Sequence, residues 1–530
     1  MKKFLFLLLI CWTCAAPLPA QEKKASRKQQ AEKIAQALYY IETRYVDSVD
    51  IDREIDVMLE ALVERLDPHS VYVPREKVLS SHEQLDGSFE GIGIEYVMLS
   101  DTLTLQSVIA DGPAAAAGMR AGDKIVSVEG EAVAGVGMPG DAISRRLRGP
   151  KGSRVSLSVL RGSEVLDFVV SRDKIPIESI DAAYVPETGI IYIKLSRFSQ
   201  STIDEFVEAL RKLSPKKPRG IILDVRGNGG GYMHVAIALA DMCLEKGQTI
   251  LWMKGPGMDH AERASGHGFY KEGPLVILVD ENSASASEIL AGALQDWDRA
   301  VIVGRRSFGK GLVQQEYPLP DGSEMRLTVA RYLTPSGRTV QSPYEPGQRA
   351  AYYRQARERY AHGESFSRDS ISLPDSLRFK TLKLGRTVYG GGGIMPDVFV
   401  PYDTVGHTRF VARVLGGGLL SEYAYLYADR HRGELEAKDL DHFLKKYQPR
   451  EQAIYDGLLA HCAEKGFTPA SEEDMQAGSV LLKTRLKALL ARSVLGSTAY
   501  WQVINAEEDP AFQQALEIVR SWTGTFPSGL

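Results

Sequence analysis

Cysteine is nearly missing from this sequence: four occur in 530 residues, and two of them, Cys11 and Cys14, fall in a short apolar stretch at the start. The other two, Cys243 and Cys462, stand far apart and without metal-ligand spacing, which argues against a disulfide framework or a cysteine-held zinc. An excess of charge of either sign is missing too. Lys and Arg number 64 against 68 Asp and Glu, so nothing electrostatic argues for a nucleic-acid partner. Beyond the first twenty residues no apolar run is long enough to span a bilayer. Histidine is scarce at ten residues, and none stands in the serine-rich stretch 280–300, so a serine–histidine pair has no obvious second member there.

What is present begins with "MKKFLFLLLICWTCAAPLPAQEKK", two lysines, an apolar run, then small residues and proline. This pattern predicts a secretory signal peptide over residues 1–20, cleaved after Ala20. Ile10 and Thr13 precede the two cysteines where a small residue would be expected, which argues against a lipid anchor. The mature chain is long enough for three or four domains, and 44% hydrophobic with 25% charged residues is ordinary globular composition.

The chain then changes texture four times. Residues 21–85 carry apolar residues at helical spacing and close on the turn "LDPHSVYVP". Residues 86–172 read as short strands with one small helix, a compact module. From 173 to 404 strands such as "GIIYIKL", "GIILDVR" and "PLVILVD" alternate with helices, which predicts an α/β domain with right-handed crossovers and largely parallel pairing. A Tyr-, Arg- and Ser-rich insertion at 342–387 reads as loop and short helix. Residues 405–530 are mostly helical and carry no chemical signal.

The stretch "DENSASASEILAGALQDWDRA" holds the sharpest question. Ser285 and Glu288 form S-x-x-E, the helix capping box, and that is the plain reading. Yet a serine between a buried strand's end and a helix start also stands where open α/β sheets place ligands. The following amide, that of Ala286, could then stabilise an oxyanion with help from the helix dipole. On the residues alone, cap and nucleophile compete closely.

A nucleophilic serine needs a base. His234 and His260 each stand without an acidic orienting partner. Lys310, in "GRRSFGKGLVQQ", is the alternative, provided its pKa falls about three units from ~10.4, at a cost of ~4 kcal/mol. Phe308 and Val313 are apolar neighbours able to exclude water. Gly304, Gly309 and Lys310 imitate a phosphate loop, but Gly311 stands where Ser or Thr should follow, and a strand reads on where a helix is required. Gln314 could hold the amine without adding charge, since alternate residues of a strand share a face. In "LDVRGNGGGY" the glycines read as a tight turn, or as a second oxyanion amide at Gly230 or Gly231.

Taken together, "LDPHSVYV", "RGPKG", "SASASEILAGALQDWDRAVIVG", "SFGKGLVQ", "TPSGRTVQ" and "GGGGIMPD", in this order, resemble the carboxyl-terminal processing peptidases, or tail-specific proteases. The resemblance covers roughly residues 60 to 400. It implies an α/β multidomain protein: a mixed α/β protease core of ClpP/crotonase-like type, an inserted PDZ domain, an N-terminal helical region and a C-terminal helical domain. It further implies Ser285 as nucleophile, Lys310 as general base, Gln314 as its support, and Ser283 and Ser287 as local structural residues. Oxyanion amides would come from Ala286 and from Gly230 and Gly231. Gly229 departs from the proline that many members carry. Within the PDZ-like module, Gly91, Ile92, Gly93 and Ile94 of "FEGIGIEY" would bind a substrate's C-terminal tail. Arg172, at the junction with the core, reads equally as a latch between the two or as a plain surface arginine.

No cofactor and no metal is implied. The expected partners are protein substrates through their C-terminal tails, with no nucleic acid. A homo-oligomer and an activating adaptor stay open. The expected location is the periplasm. A catalytically idle PDZ adaptor is the opposing reading; an esterase fits less well because the G-x-S-x-G elbow is absent.

Overall fold

The computed structural model describes residues 26–99, 101–214, 218–524 and 526–527; the expected signal peptide, with Cys11 and Cys14, lies outside the described residues. The chain divides into two compact units, residues 1–62 and 63–530. In the first, helix Arg27–Arg44 starts from a reciprocal box between Ser26 and Gln29. A second helix, Ile51–Glu64, begins in this unit with Asp52 and Glu54 in its first turn, where the helix dipole favours acidic groups.

The second unit is built on a six-stranded sheet in the order Ile180–Glu187, Ile190–Leu195, Gly220–Asp224, Leu275–Val279, Val301–Gly304, Val398–Phe399. The first pair is antiparallel and the remaining neighbours are parallel. Strands "IIYIKL", "GIILD", "LVILV" and "VIVG" are buried at every residue, as expected of parallel strands covered on both faces. Alternation sorts them: Ile191, Ile193, Ile221 and Ile277 pack toward helices Thr202–Leu213, Met233–Asp241 and Ala286–Asp296. Tyr192, Ile222, Val276 and Val303 pack toward Phe512, Leu516 and Val519 of helix Pro510–Ser521. The mixed α/β core read from the sequence is thus present, and its second face is closed by the far end of the chain.

A five-stranded sheet stands beside it, in which the hairpin Leu312–Pro318/Glu324–Leu333 carries residues of the site and the short strand Val71–Val73 follows the turn that supports it. Residues 94–171 form a six-stranded antiparallel sheet with helix Gly140–Leu147 over its own core of Leu103, Leu105, Ile125, Ile143 and Val159. Strand Ile94–Leu99 is its edge, paired among the described residues with Thr102–Val108 alone.

Arg172 does not latch this module to the core. Its guanidinium donates to the carbonyls of Arg146, Leu147 and Arg154 and to Ser153 Oγ, all inside the module, because the unpaired carbonyls at the end of helix Gly140–Leu147 attract a cation.

The insertion holds helix Arg349–Ala361 and, beyond the expected loop, strand Arg378–Lys380, which pairs with Thr387–Tyr389 at and just past its end. From Arg409 to Glu507 the chain is helical around a separate core of Phe410, Val414, Phe443, Leu458 and Leu486, before helix Pro510–Ser521 returns to the sheet. Cys243 and Cys462 are both free thiols, packed in different cores.

Gly220 tests how closely the terminal helix sits on the sheet. A Cβ there would lie 2.4 Å from Val519 Cγ1, a stiff β-branched side chain. Gly220→Ala is expected to cost ~1–3 kcal/mol, read as a lower denaturation midpoint with an unchanged slope.

Candidate active site

Only one serine of the quoted triplet is accessible. Ser283 and Ser287 are fully buried, whereas Ser285 is half-buried between them. Ser283 Oγ donates to the Val225 carbonyl at 2.8 Å and Ser287 Oγ to the Asn228 carbonyl at 2.9 Å, so both tie this turn to the neighbouring "VRGN" segment. Ser285 itself has φ 55° and ψ −111°, a left-handed backbone that costs a non-glycine residue ~1–2 kcal/mol and survives only where the surroundings enforce it.

Glu288 does much of the enforcing. Its buried carboxylate accepts the Ser285 amide at 2.9 Å, the Lys310 amide at 2.8 Å, the Gly309 amide at 2.7 Å and Ser307 Oγ at 2.5 Å. Those donors fill the lone-pair positions of an ionised carboxylate. Burial nevertheless pushes its pKa up to about 7 against their pull. Tyr332, also buried, adds a second tie, its hydroxyl lying 2.6 Å from the Lys310 carbonyl and 3.2 Å from that of Ser285. The residue read as half of a capping box therefore joins the serine turn to the lysine loop, which sequence spacing alone does not signal.

The Lys310 amine donates to Gln314 Oε1 at 3.0 Å. Gln314 Nε2 donates in turn to the His69 carbonyl, which can only accept, so the amide must turn its oxygen toward the lysine. The His69 carbonyl is set by Asp67, whose Oδ1 accepts the amides of His69 at 2.8 Å and Ser70 at 2.9 Å. The "LDPHS" turn thus supports the amine through two further residues. Strand alternation is not what unites the pair: the strand begins at Leu312, after Lys310, and its register shifts between Val313 and Gln314. Burial first, then the Arg326 guanidinium, pushes the Lys310 amine below the ordinary lysine value. Burial also holds the His69 imidazole down to about 4, so this ring is neutral near pH 7.

The insertion braces the same loop from behind. Arg359 donates to the carbonyls of Arg306 at 2.9 Å and Ser307 at 3.0 Å, and Tyr352 Oη to that of Gly309 at 3.2 Å. The segment after Gly309 is strand, so the resemblance to a phosphate loop ends there.

Ser285, Lys310, Gln314 and the glycines at 229–231 line one cavity of about 640 Å³. His234 and His260 do not line it; His260 faces Glu262 at 3.2 Å on an exposed strand. Both Ser285 and Lys310 border this cavity, but the amine's hydrogen bond goes to Gln314.

Gly230 does not fit the part of oxyanion donor. Its amide donates to Asn228 Oδ1 at 2.8 Å and its carbonyl accepts the Phe198 amide at 3.0 Å. What it contributes is the missing side chain, for a Cβ would lie 2.9 Å from Ser285 Cβ and 3.1 Å from the Ala286 nitrogen. Gly231 bridges Phe198 in parallel through its neighbours' groups, and the alternation of such a bridge turns its own N–H the other way. A side chain at Gly229 would meet nothing within 4 Å, so no steric demand explains the glycine there. Ala286 opens its helix, where the first amides lack an intrahelical acceptor.

In the module, the Ile92 side chain is in the core and its carbonyl accepts the Ala114 amide at 2.9 Å, which leaves Ile92 only backbone with which to touch a ligand. Among the described residues His82, Glu316 and Glu324 come close enough to share a cation. They already have partners, His82 Nε2 lying 2.7 Å from Glu324 Oε2 in a hydrogen bond and Glu316 pairing with Arg326 at 2.8 Å.

Residues 189–346 match Peptidase family S41, 91–171 match the PDZ domain, and 410–496 match a family of unknown function, DUF8443. The carboxy-terminal processing protease CtpB of Bacillus subtilis (strain 168) is 35% identical over 333 residues, 62% of this chain and 69% of that protein. The carboxy-terminal-processing protease of Bartonella bacilliformis is 36% identical over 309 residues, 57% and 70% of the two chains. CtpA of the same Bacillus strain is 31% identical over 351 residues, 64% and 74%.

Glu288→Gln places amide hydrogens against donors and is expected to cost at least ~2 kcal/mol in denaturant unfolding. The wild-type carboxyl is easier to protonate when folded than at its ordinary 4.5, so its contribution to stability is greatest below 4.5 and declines as pH rises through about 7. A stability profile of Glu288→Gln across that window should lack this decline.

Proposed function

Since the chain belongs to peptidase family S41, carries a PDZ domain and is a serine-type endopeptidase, we propose that Ser285 is its nucleophile and Lys310 its general base. The supporting observation is that the one accessible serine of the triplet shares a cavity with a half-buried lysine whose amine is held by a neutral amide. Burial and the nearby Arg326 favour the uncharged amine. Neutral Lys310 removes the Ser285 proton as Oγ attacks the scissile carbonyl, and the Ala286 and Gly231 amides receive the oxyanion. The protonated lysine then gives its proton to the leaving amine. Water, deprotonated by the same lysine, releases the acyl group. Gln314 keeps the amine oriented through both halves without stabilising its charge.

The substrate is a protein tail. It would add as a strand along the open edge Ile94–Leu99, with its terminal carboxylate at the amides of 91–94. In this reading residues 1–20 direct export to the periplasm, 21–85 are a helical region, 86–172 the PDZ domain and 173–404 the peptidase core with its insertion at 342–387. Residues 405–530 form the C-terminal helical domain.

Cleavage of an unstructured protein with an apolar C-terminus should fall at least ~10³-fold in Ser285→Ala and in Lys310→Ala; cleavage retained by either variant removes this mechanism. Because the base works unprotonated, kcat/KM should be lost as pH falls, along a limb centred below the ordinary ~10.4 of lysine. Gln314→Glu sets an anion beside the amine and should move that limb ~1–3 units upward. A limb that stays in place in Gln314→Glu argues that another group is titrating.

A further inference from the structure

Arg226 has no part in the chemistry so far, yet it stands at the root of the turn that carries Gly230 and Gly231. Its guanidinium is held by two carboxylates at once. Nε and Nη2 reach Asp224 at 3.0 and 2.6 Å, while Nη1 and Nη2 reach Asp509 at 2.9 and 2.5 Å. Asp224 is fully buried and is also met by Lys194 Nζ at 3.1 Å and by the Tyr192 hydroxyl at 2.8 Å. The charges balance, two cations against two anions. Asp509 lies 283 residues downstream of Arg226, just before helix Pro510–Ser521, where it also caps the Phe512 amide at 3.0 Å. Without it, Arg226 and Lys194 would share one carboxylate, leaving a buried cation uncompensated.

The backbone after Arg226 is fixed link by link. The Gly227 amide donates to Asp280 at 2.9 Å and Asn228 Nδ2 to the Leu195 carbonyl at 2.9 Å. The Asn228 carbonyl accepts both the Ala284 amide and Ser287 Oγ, so this turn and the serine turn move as one.

We propose that Asp509 is a positioning residue for catalysis: the C-terminal helical region supplies through it the counter-charge that seats Arg226 and, with it, the oxyanion turn against Ser285. This rests on the assignment of Ser285 and Gly231 above. The region that carries no chemical motif of its own is then a working part of the site.

The test compares wild type, Asp509→Asn, Asp509→Glu, Arg226→Lys and Ser285→Ala as full mature chains. Thermal midpoint, kcat, KM and affinity for a peptide aldehyde and its alcohol analogue are measured. Ser285 Oγ bonds to the aldehyde carbon, the carbonyl π-bond breaks, and the resulting oxygen occupies the oxyanion position with the serine proton on Lys310. The alcohol has no carbonyl and makes only the ground-state contacts.

Asp509→Asn should lower kcat and aldehyde affinity in parallel by ~10- to 100-fold, with KM and alcohol affinity within about two-fold. Asp509→Glu should restore part of the loss. If Asp509→Asn does not fold, Asp509→Glu and Arg226→Lys keep the charges and carry the test, with reduced kcat at a near-normal thermal midpoint. Unchanged kcat and aldehyde affinity in the folded variants, or equal loss for aldehyde and alcohol, overturns the proposal. Retained cleavage by Ser285→Ala sinks the nucleophile assignment and this proposal with it. A dead Ser285→Ala beside an unaffected Asp509→Asn sinks this proposal alone.

Discussion

A single buried carboxylate holds the site's two halves in register. Glu288 joins the turn after the central strand to the loop before the hairpin by accepting from Ser285, Gly309 and Lys310 backbone amides and from Ser307. Each half has further anchors, and the Phe308 amide donates directly to the Ser283 carbonyl at 3.0 Å, but the carboxylate meets both halves at several points. Ser285 is in strained backbone, and Lys310 stands outside any regular element. Four hydrogen bonds to one buried carboxyl group in a dry setting hold both. Everything farther out, from Tyr332 to the Arg359 brace, supports that one connection.

The sheet and its helices were legible because buried parallel strands leave uninterrupted apolar runs. "LVILV" and "VIVG" need no further evidence to be read as strands. The small module and the C-terminal helices were legible for a different reason, period-two alternation in one and helical spacing in the other. Strand alternation predicts that Lys310 and Gln314 are neighbours, and they are, but alternation does not apply across a loop and a bulge.

What stayed hidden was anything that works through the backbone or across long separations. That Gly230 turns its amide to Asn228 depends on a side chain two residues back adopting one rotamer. The use of the His69 carbonyl by Gln314 joins residues 245 apart, and no spacing rule reaches that far. Arg172 looked like a link between parts because it stands at a junction. Its nearest uncompensated partners, though, are the carbonyls at the end of its own module's helix. The same limit concealed the role of the insertion: Arg359 and Tyr352 matter for what their tips touch, which helix periodicity does not encode.

The left-handed backbone at Ser285 has a consequence for which atoms evolution could place there. A side chain branched at its first carbon would crowd the neighbouring peptide in that conformation, so threonine is poorly suited to this elbow although it bears the same alcohol. Cysteine, unbranched like serine, meets no such obstacle. The geometry of one dihedral angle thus narrows the chemical repertoire of this position before any question of reactivity arises.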